Sequence, residues 1–160
     1  MKKYAIVLAA GKGSRMKTDM PKCAYPLLKK PMIVYIVENL TKALMIDEIV
    51  AVVGHKKEVI QQILNSRVTY AVQEKQLGTG HAVQMAENNI IEDGYSIILP
   101  GDMPLIDDQV IKEAMDFHES SQNDLTVVST FVREPDGYGR IIVKNEQLEA
   151  IVEECKNNQS

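Results

Sequence analysis

Gly11, Lys12, Gly13 and Arg15 stand together in the stretch Leu8-Ala9-Ala10-Gly11-Lys12-Gly13-Ser14-Arg15-Met16, with Pro21-Lys22 shortly after. An apolar run that empties into a glycine-rich, cationic loop suits a polyphosphate. Glycine lets the backbone approach phosphate oxygens, successive N–H groups form an anion-binding concavity, and the cations add charge. Two common phosphate fingerprints do not fit, because G-x-x-x-x-G-K-[ST] and G-x-G-x-x-G both need glycine where Met16 stands. From Lys12 to Lys30 six basic residues (Lys12, Arg15, Lys17, Lys22, Lys29, Lys30) face one acid, Asp19. In a chain of net charge −4 such a patch points to a small anionic ligand, not to a nucleic-acid duplex or an anionic membrane. A solvated charged loop is the plainer reading of the same residues.

The elements around this loop alternate. Tyr4 to Ala10 reads as a buried strand, a continuous apolar run ended by glycine. Pro31 opens a helix striped by Ile33, Ile36, Val37, Leu40 and Leu44. Ile49 to Val53 is a second strand, Lys56 to Leu64 a helix, and Val68 to Val72 a third strand. A helix runs from Thr79 to Ile90, Tyr95 to Leu99 is a strand, and Asp107 or Asp108 caps a helix striped by Val110, Ile111, Ala114 and Met115. The alternation then stops: Leu125 to Val132 reads as a strand, and Gly139 to Val143 with Leu148 to Val152 as a hairpin. Repeated βα units predict a doubly wound α/β fold, a mostly parallel sheet made mixed by the closing strands, in three α/β/α layers. Ligands of such sheets lie beyond the carboxyl ends of the strands. Gly11 to Arg15, Gly54-His55, Gln73 to Gly80 and Gly101-Asp102 all follow strands, so they are expected on one rim.

A length of 160 residues allows one domain with a real core. Cys23 and Cys155 make neither a metal set nor a disulfide framework, which fits a reducing cytoplasm. Met1-Lys2-Lys3 and the apolar run after it have some likeness to a signal peptide, but a buried first strand explains them better. No run is long enough for a membrane helix. His55, His81 and His118 lack mutual metal spacing, and His118 falls on the stripe of its helix.

L-A-A-G-x-G-[ST]-R-M followed by P-K resembles the signature of sugar-1-phosphate nucleotidyltransferases. Within them the chain is most similar to the uridyltransferase domain of the bifunctional N-acetylglucosamine-1-phosphate uridyltransferases, which also carry an acetyltransferase domain. Further matches are Gln73 to Gly80 (Q-E-K-Q-L-G-T-G), Pro100-Gly101-Asp102, Tyr138-Gly139-Arg140-Ile141 and Ile151-Val152-Glu153, in the family's order.

The resemblance implies a reaction: a sugar-1-phosphate oxygen attacks the α-phosphorus of UTP and expels pyrophosphate, giving UDP-N-acetylglucosamine. The nucleophile is already ionised near neutral pH, so the protein must position two polyanions and stabilise charge at the transferring group. It assigns Leu8, Ala9, Ala10, Gly11 and Gly13 to the nucleotide. Arg15 offers a planar fork for the β- and γ-phosphates, and Lys22 a mobile point charge near the α-phosphate. Asp102 is the implied Mg²⁺ ligand; as an isolated residue it reads equally well as a turn aspartate. Gln73, Gly78 and Thr79 are implied to read the base, Thr79 serving also as a helix cap. Gly139, through its backbone, and Glu153 are implied sugar contacts.

The chain departs from the family's pattern where Cys155 stands at a usual lysine position. The family's catalytic domain also continues past the point matching Ser160, which implies a C-terminally incomplete domain that binds UTP–Mg²⁺ weakly. No hexapeptide repeat occurs, so acetyl transfer is not expected. Alternatives are a cytidylyl- or guanylyltransferase, or a nucleotide-sugar-binding module without turnover. A dehydrogenase fits poorly, since the second strand ends in Val53-Gly54-His55 with no ribose-binding acid.

Overall fold

The computed structural model describes residues 1–11, 13, 20–43, 45–145 and 147–152. They fall into two compact units, residues 1–122 and 123–160. In the first unit the chain runs β1 (Lys2–Ala9), a 3-10 turn (Lys22–Ala24), the short antiparallel pair β2 (Pro26–Leu27) and β3 (Lys30–Pro31), then α1 (Met32–Lys42). It continues through β4 (Glu48–Val53), α2 (Lys57–Leu64), β5 (Thr69–Val72), α3 (Thr79–Met85), β6 (Gly94–Pro100) and α4 (Asp108–Ser121).

Four strands form the sheet in the order β5-β4-β1-β6, and every pairing is parallel. Successive side chains of a strand point to opposite faces, and β1 divides the core accordingly. Ala5, Val7 and Ala9 join one cluster with Ile33, Ile36, Val37 and Leu40 of α1, Ile60 and Leu64 of α2 and Ile111 of α4. Ile6 and Ala10 join the other, with Val50, Val52 and Ala71 of the neighbouring strands and Ala82 and Ala86 from the α3 segment. Helices therefore cover both faces of β1 and β4, which is why these two strands read as continuous apolar runs instead of alternating ones. The fold is the doubly wound, Rossmann-like α/β architecture.

Local chemistry sets the element ends. Pro31, at φ −54°, sits at the N-cap of α1, where its missing N–H costs nothing. Asp107 caps α4, its Oδ1 accepting from the Val110 amide at 2.9 Å. The helix expected to reach Ile90 is α-helical only to Met85; a 3-10 turn at Glu87–Asn89 follows. Asn88 and Asn89, poor helix formers, stand where it stops. Leu44, expected on the α1 stripe, lies outside the described residues. His118 packs on the Tyr95 ring edge-on, centroids 4.9 Å apart.

In the second unit, β7 (Arg140–Lys144) and β8 (Gln147–Val152) pair antiparallel, with an irregularity between Ile142 and Val143. The closing strands pair antiparallel only in their own two-stranded sheet, so the main sheet is wholly parallel, which corrects the mixed sheet expected. Among the described residues β7 and β8 bond to each other and to no strand of the main sheet. Residues 125–132, expected as a strand, are not one. Strand preference expresses packing against neighbours; here Leu125, Val128 and Phe131 are exposed, and the segment pairs with no strand among the described residues.

The β1–β6 pairing leaves no room at its start. A Cβ on Gly94 would lie 1.9 Å from the Lys2 carbonyl oxygen, so Gly94→Ala forces the strands apart. We expect it to lower stability by about 1–3 kcal/mol in urea unfolding. Gly80→Ala, at a helical position with nothing within 4 Å of the added carbon, should instead be neutral or stabilising by up to about 1 kcal/mol.

Candidate functional site

The strand order reverses between β1 and β6, and a crevice is expected beyond their carboxyl ends. A cleft of about 420 Å³ opens there. Leu8, Ala9, Ala10, Gly11 and Gly13 line it from the end of β1, and Lys22 and Cys23 from the 3-10 turn. Gln73, Gln76, Gly78, Thr79 and Ala82 line it from the β5–α3 side, and Pro100 and Asp102 from the end of β6. Every described residue singled out for the nucleotide, the transferring phosphate or the metal is on this wall.

Glycines bring the walls close. Gly101 donates its amide to the Leu8 carbonyl at 2.9 Å. A Cβ there would meet that oxygen at 3.0 Å and the Cys23 Cβ at 3.2 Å, so a side chain at 101 would pry the ends of β1 and β6 apart. Gly13 has φ +60°, and its added carbon would meet the Lys22 Cβ and amide nitrogen at 3.2 Å. Gly13 therefore lies against the turn that carries Lys22.

Lys22 Nζ lies 2.6 Å from Asp102 Oδ2, with side chains 50% and 29% exposed. A solvated pair of this kind adds little stability. Its consequence is positional, holding an ammonium and a carboxylate across the mouth of one cleft. Among the described residues no group of three or more His, Cys, Asp or Glu side chains is placed to hold a metal. The available set is a single carboxylate. That matches a Mg²⁺ bound chiefly through ligand phosphates and water, not one caged by protein.

Gln73 is the only buried polar residue among those described, at 3% exposure. Its backbone amide donates to Val53 O at 2.8 Å, continuing the β4–β5 ladder. Its side-chain Nε2 donates to Gly78 O at 3.1 Å and lies 2.9 Å from His81 Nδ1. Gly78, with φ +105°, is itself the N-cap of α3, and no side chain caps the helix. Thr79 is the first helical residue, which corrects the cap expected of it; a backbone turn took that place.

Gln76 donates its side-chain amide to the Ala10 carbonyl, tying the β5–α3 segment to the start of the glycine-rich stretch. It was missed in the sequence, although it sits inside the Gln73–Gly80 stretch. Cys23 was missed as well, and nothing in its type marks it; Pro100, part of the Pro100-Gly101-Asp102 match, had been given no site role. Gly54 and His55, expected on the rim, line an adjoining depression of about 480 Å³ that shares Gln73 and Gln76 with the main cleft. The basic patch is partly structural: Lys30 pairs with Glu38 at 2.6 Å and sits 3.8 Å over the Tyr35 ring. Lys12, Arg15, Lys17 and Glu153 lie outside the described residues. Gly139 belongs to the second unit and is exposed.

Comparison with known proteins places the chain by family and fold. The family profile described as "MobA-like NTP transferase domain" matches residues 5–157. The chain is 52% identical to the bifunctional protein GlmU of Acholeplasma laidlawii, over 99% of this chain and 35% of that protein. Against the Staphylococcus epidermidis protein of the same name the identity is 41%, over 100% of this chain and 36% of the other. The chain thus spans about a third of the length of these curated relatives. Among solved structures, HddC from Yersinia pseudotuberculosis superposes with a TM-score of 0.71 at 26% identity, covering 96% of this chain and 69% of that one. A putative glucose-1-phosphate thymidylyltransferase from Bacillus anthracis gives 0.70 at 22% identity, covering 94% and 64%, and shows the shared fold.

Burial pushes the Cys23 thiol from 9.0 up to about 12, and the charge of Asp102 adds to that push. The unfolded chain releases this proton above about pH 9 while the folded chain keeps it, so Cys23 makes stability fall as pH rises from there toward 12. Urea midpoints measured across that window should decline less steeply for Cys23→Ala than for the native sequence. Equal slopes would show that the thiol is not buried as described.

Proposed function

The chain belongs to the family of MobA-like NTP transferase domains, and from that premise we propose that its cleft binds UTP with Mg²⁺ and directs the uridylyl group to N-acetylglucosamine-1-phosphate. At the coarser level it is a nucleotidyltransferase of the sugar-1-phosphate type, related to GlmU. The observation that carries the finer reading is the convergence of glycine backbone, one ammonium and one carboxylate at the switch between β1 and β6.

The chemistry these residues can do follows from charge. A sugar-1-phosphate oxygen is ionised at neutral pH and needs no base. It must be held in line with the α-phosphorus while charge moves to the departing pyrophosphate. The backbone amides of Gly11 and Gly13 would serve as donors for phosphate oxygens. Lys22 supplies a mobile cation; a polyphosphate entering the cleft competes with Asp102 for it. Asp102 would hold Mg²⁺, which when bound neutralises phosphate charge and orients the leaving group. Gln73, Gly78 and Thr79 form the wall nearest α3, where both donors and acceptors meet a pyrimidine edge.

The thermal midpoint should rise on adding millimolar UTP with Mg²⁺, since a ligand of the folded state stabilises it. Asp102→Asn should abolish the Mg²⁺-dependent part of that rise. With N-acetylglucosamine-1-phosphate present, Lys22→Ala should slow pyrophosphate release by about a hundredfold or more, because it removes charge stabilisation from the transition state. No midpoint change with any nucleoside triphosphate would overturn the proposal.

A further inference from the structure

We infer that His81 is a positioning residue that sets base selectivity by fixing which end of the Gln73 amide faces a ligand. The inference deepens the uridine reading above and rests on it.

Gly78 O accepts hydrogen bonds and never donates them, so the Gln73 group facing it at 3.1 Å is the amide nitrogen. The same nitrogen lies 2.9 Å from His81 Nδ1. Having no lone pair to offer, it donates there too, and the imidazole carries its proton on Nε2. Both amide protons are thereby used. The side-chain oxygen has no partner among the described residues, yet no buried side-chain oxygen or nitrogen among them goes unpaired. That oxygen is therefore reachable by solvent, although Gln73 is 3% exposed. It is the polar atom Gln73 can offer in the cleft it lines.

An acceptor locked in this way favours a base whose ring nitrogen carries a proton. Uracil does, at N3; cytosine presents a lone pair at the same position. A site built around a donor–acceptor match rejects the analogue that lacks the donor, because the buried group is then left unpaired. Without His81, one Gln73 proton loses its acceptor and the amide is free to reorient about its single remaining contact. His81 need not touch the nucleotide.

The test compares UTP and CTP binding by the whole chain with Mg²⁺, using equilibrium dialysis, for the native protein, His81→Phe and His81→Asn. The native protein should favour UTP. His81→Phe should lose about five- to tenfold of that preference, the share of one neutral hydrogen bond. His81→Asn places an oxygen near the Nδ1 position and should restore it, whereas a purely space-filling role predicts rescue by Phe instead. In the ligand-free protein, long-range ¹H–¹⁵N spectra should show His81 Nδ1 unprotonated, a readout that survives any loss of folding in the variants. A protonated Nδ1 in the neutral ring, an unchanged UTP:CTP ratio in His81→Phe, or native preference for CTP would each overturn the inference. Failure of the native protein to bind any nucleoside triphosphate would instead remove the uridine reading and the inference together.

Discussion

The amide of Gly101 bonded to the carbonyl of Leu8 at 2.9 Å is the contact on which the cleft depends. It extends the parallel β1–β6 ladder one step past Leu8 and Pro100. In doing so it brings two chain exits, more than ninety residues apart in sequence, to a single point. Any Cβ at position 101 would crowd both the Leu8 oxygen and Cys23. Gly54 does the same beside β4, where an added carbon would meet Ala10 at 3.0 Å and the backbone carbonyl oxygen of Gln73 at 3.1 Å. The crevice exists because strand ends can approach this closely, and they can do so only where side chains are missing.

The crevice is walled mostly by apolar surface, with few polar side chains. Among the described residues one ion pair spans it, and that pair is solvated enough to contribute little to folding. Its two partners remain available to a ligand that offers a better match, an anion for the ammonium or a metal for the carboxylate. The buried amide of Gln73 differs. It is satisfied within the protein on its donor side, so its orientation is set before any ligand arrives. The cleft thus combines groups that can exchange partners with a group that cannot. A site that binds charged phosphates and reads a base calls for both kinds.

The two compact units differ in how their apolar surface is used. In the first, the inner residues of β1 and β4 are buried, Tyr4 to Val7 and Val50 to Val53, while Ile98 of β6 is exposed. In the second, the β7–β8 hairpin and residues 125–132 leave Leu125, Phe131, Val143 and Ile151 exposed. The relatives it matches are about three times as long as this chain.

Much of the architecture was legible in the residues because it rests on local rules. Continuous apolar runs mark parallel strands, and β1, β4 and β6 lie within a few residues of their expected bounds, although of β6 only Leu99 is buried. Asp107 marked a helix start because an N-cap is a local hydrogen bond. The common rim followed from alternation alone, since parallel strands all end on the same side. Residues 125–132 were misread because a strand requires a partner, and no partner is written in the segment itself. The pairing of Lys22 with Asp102, the tie from Gln76 to Ala10, the burial of Cys23 and the contact of Gln73 with His81 were decided only in three dimensions. Each depends on distances between elements remote in sequence or on the conformation of a turn. Composition and spacing carry no such distances.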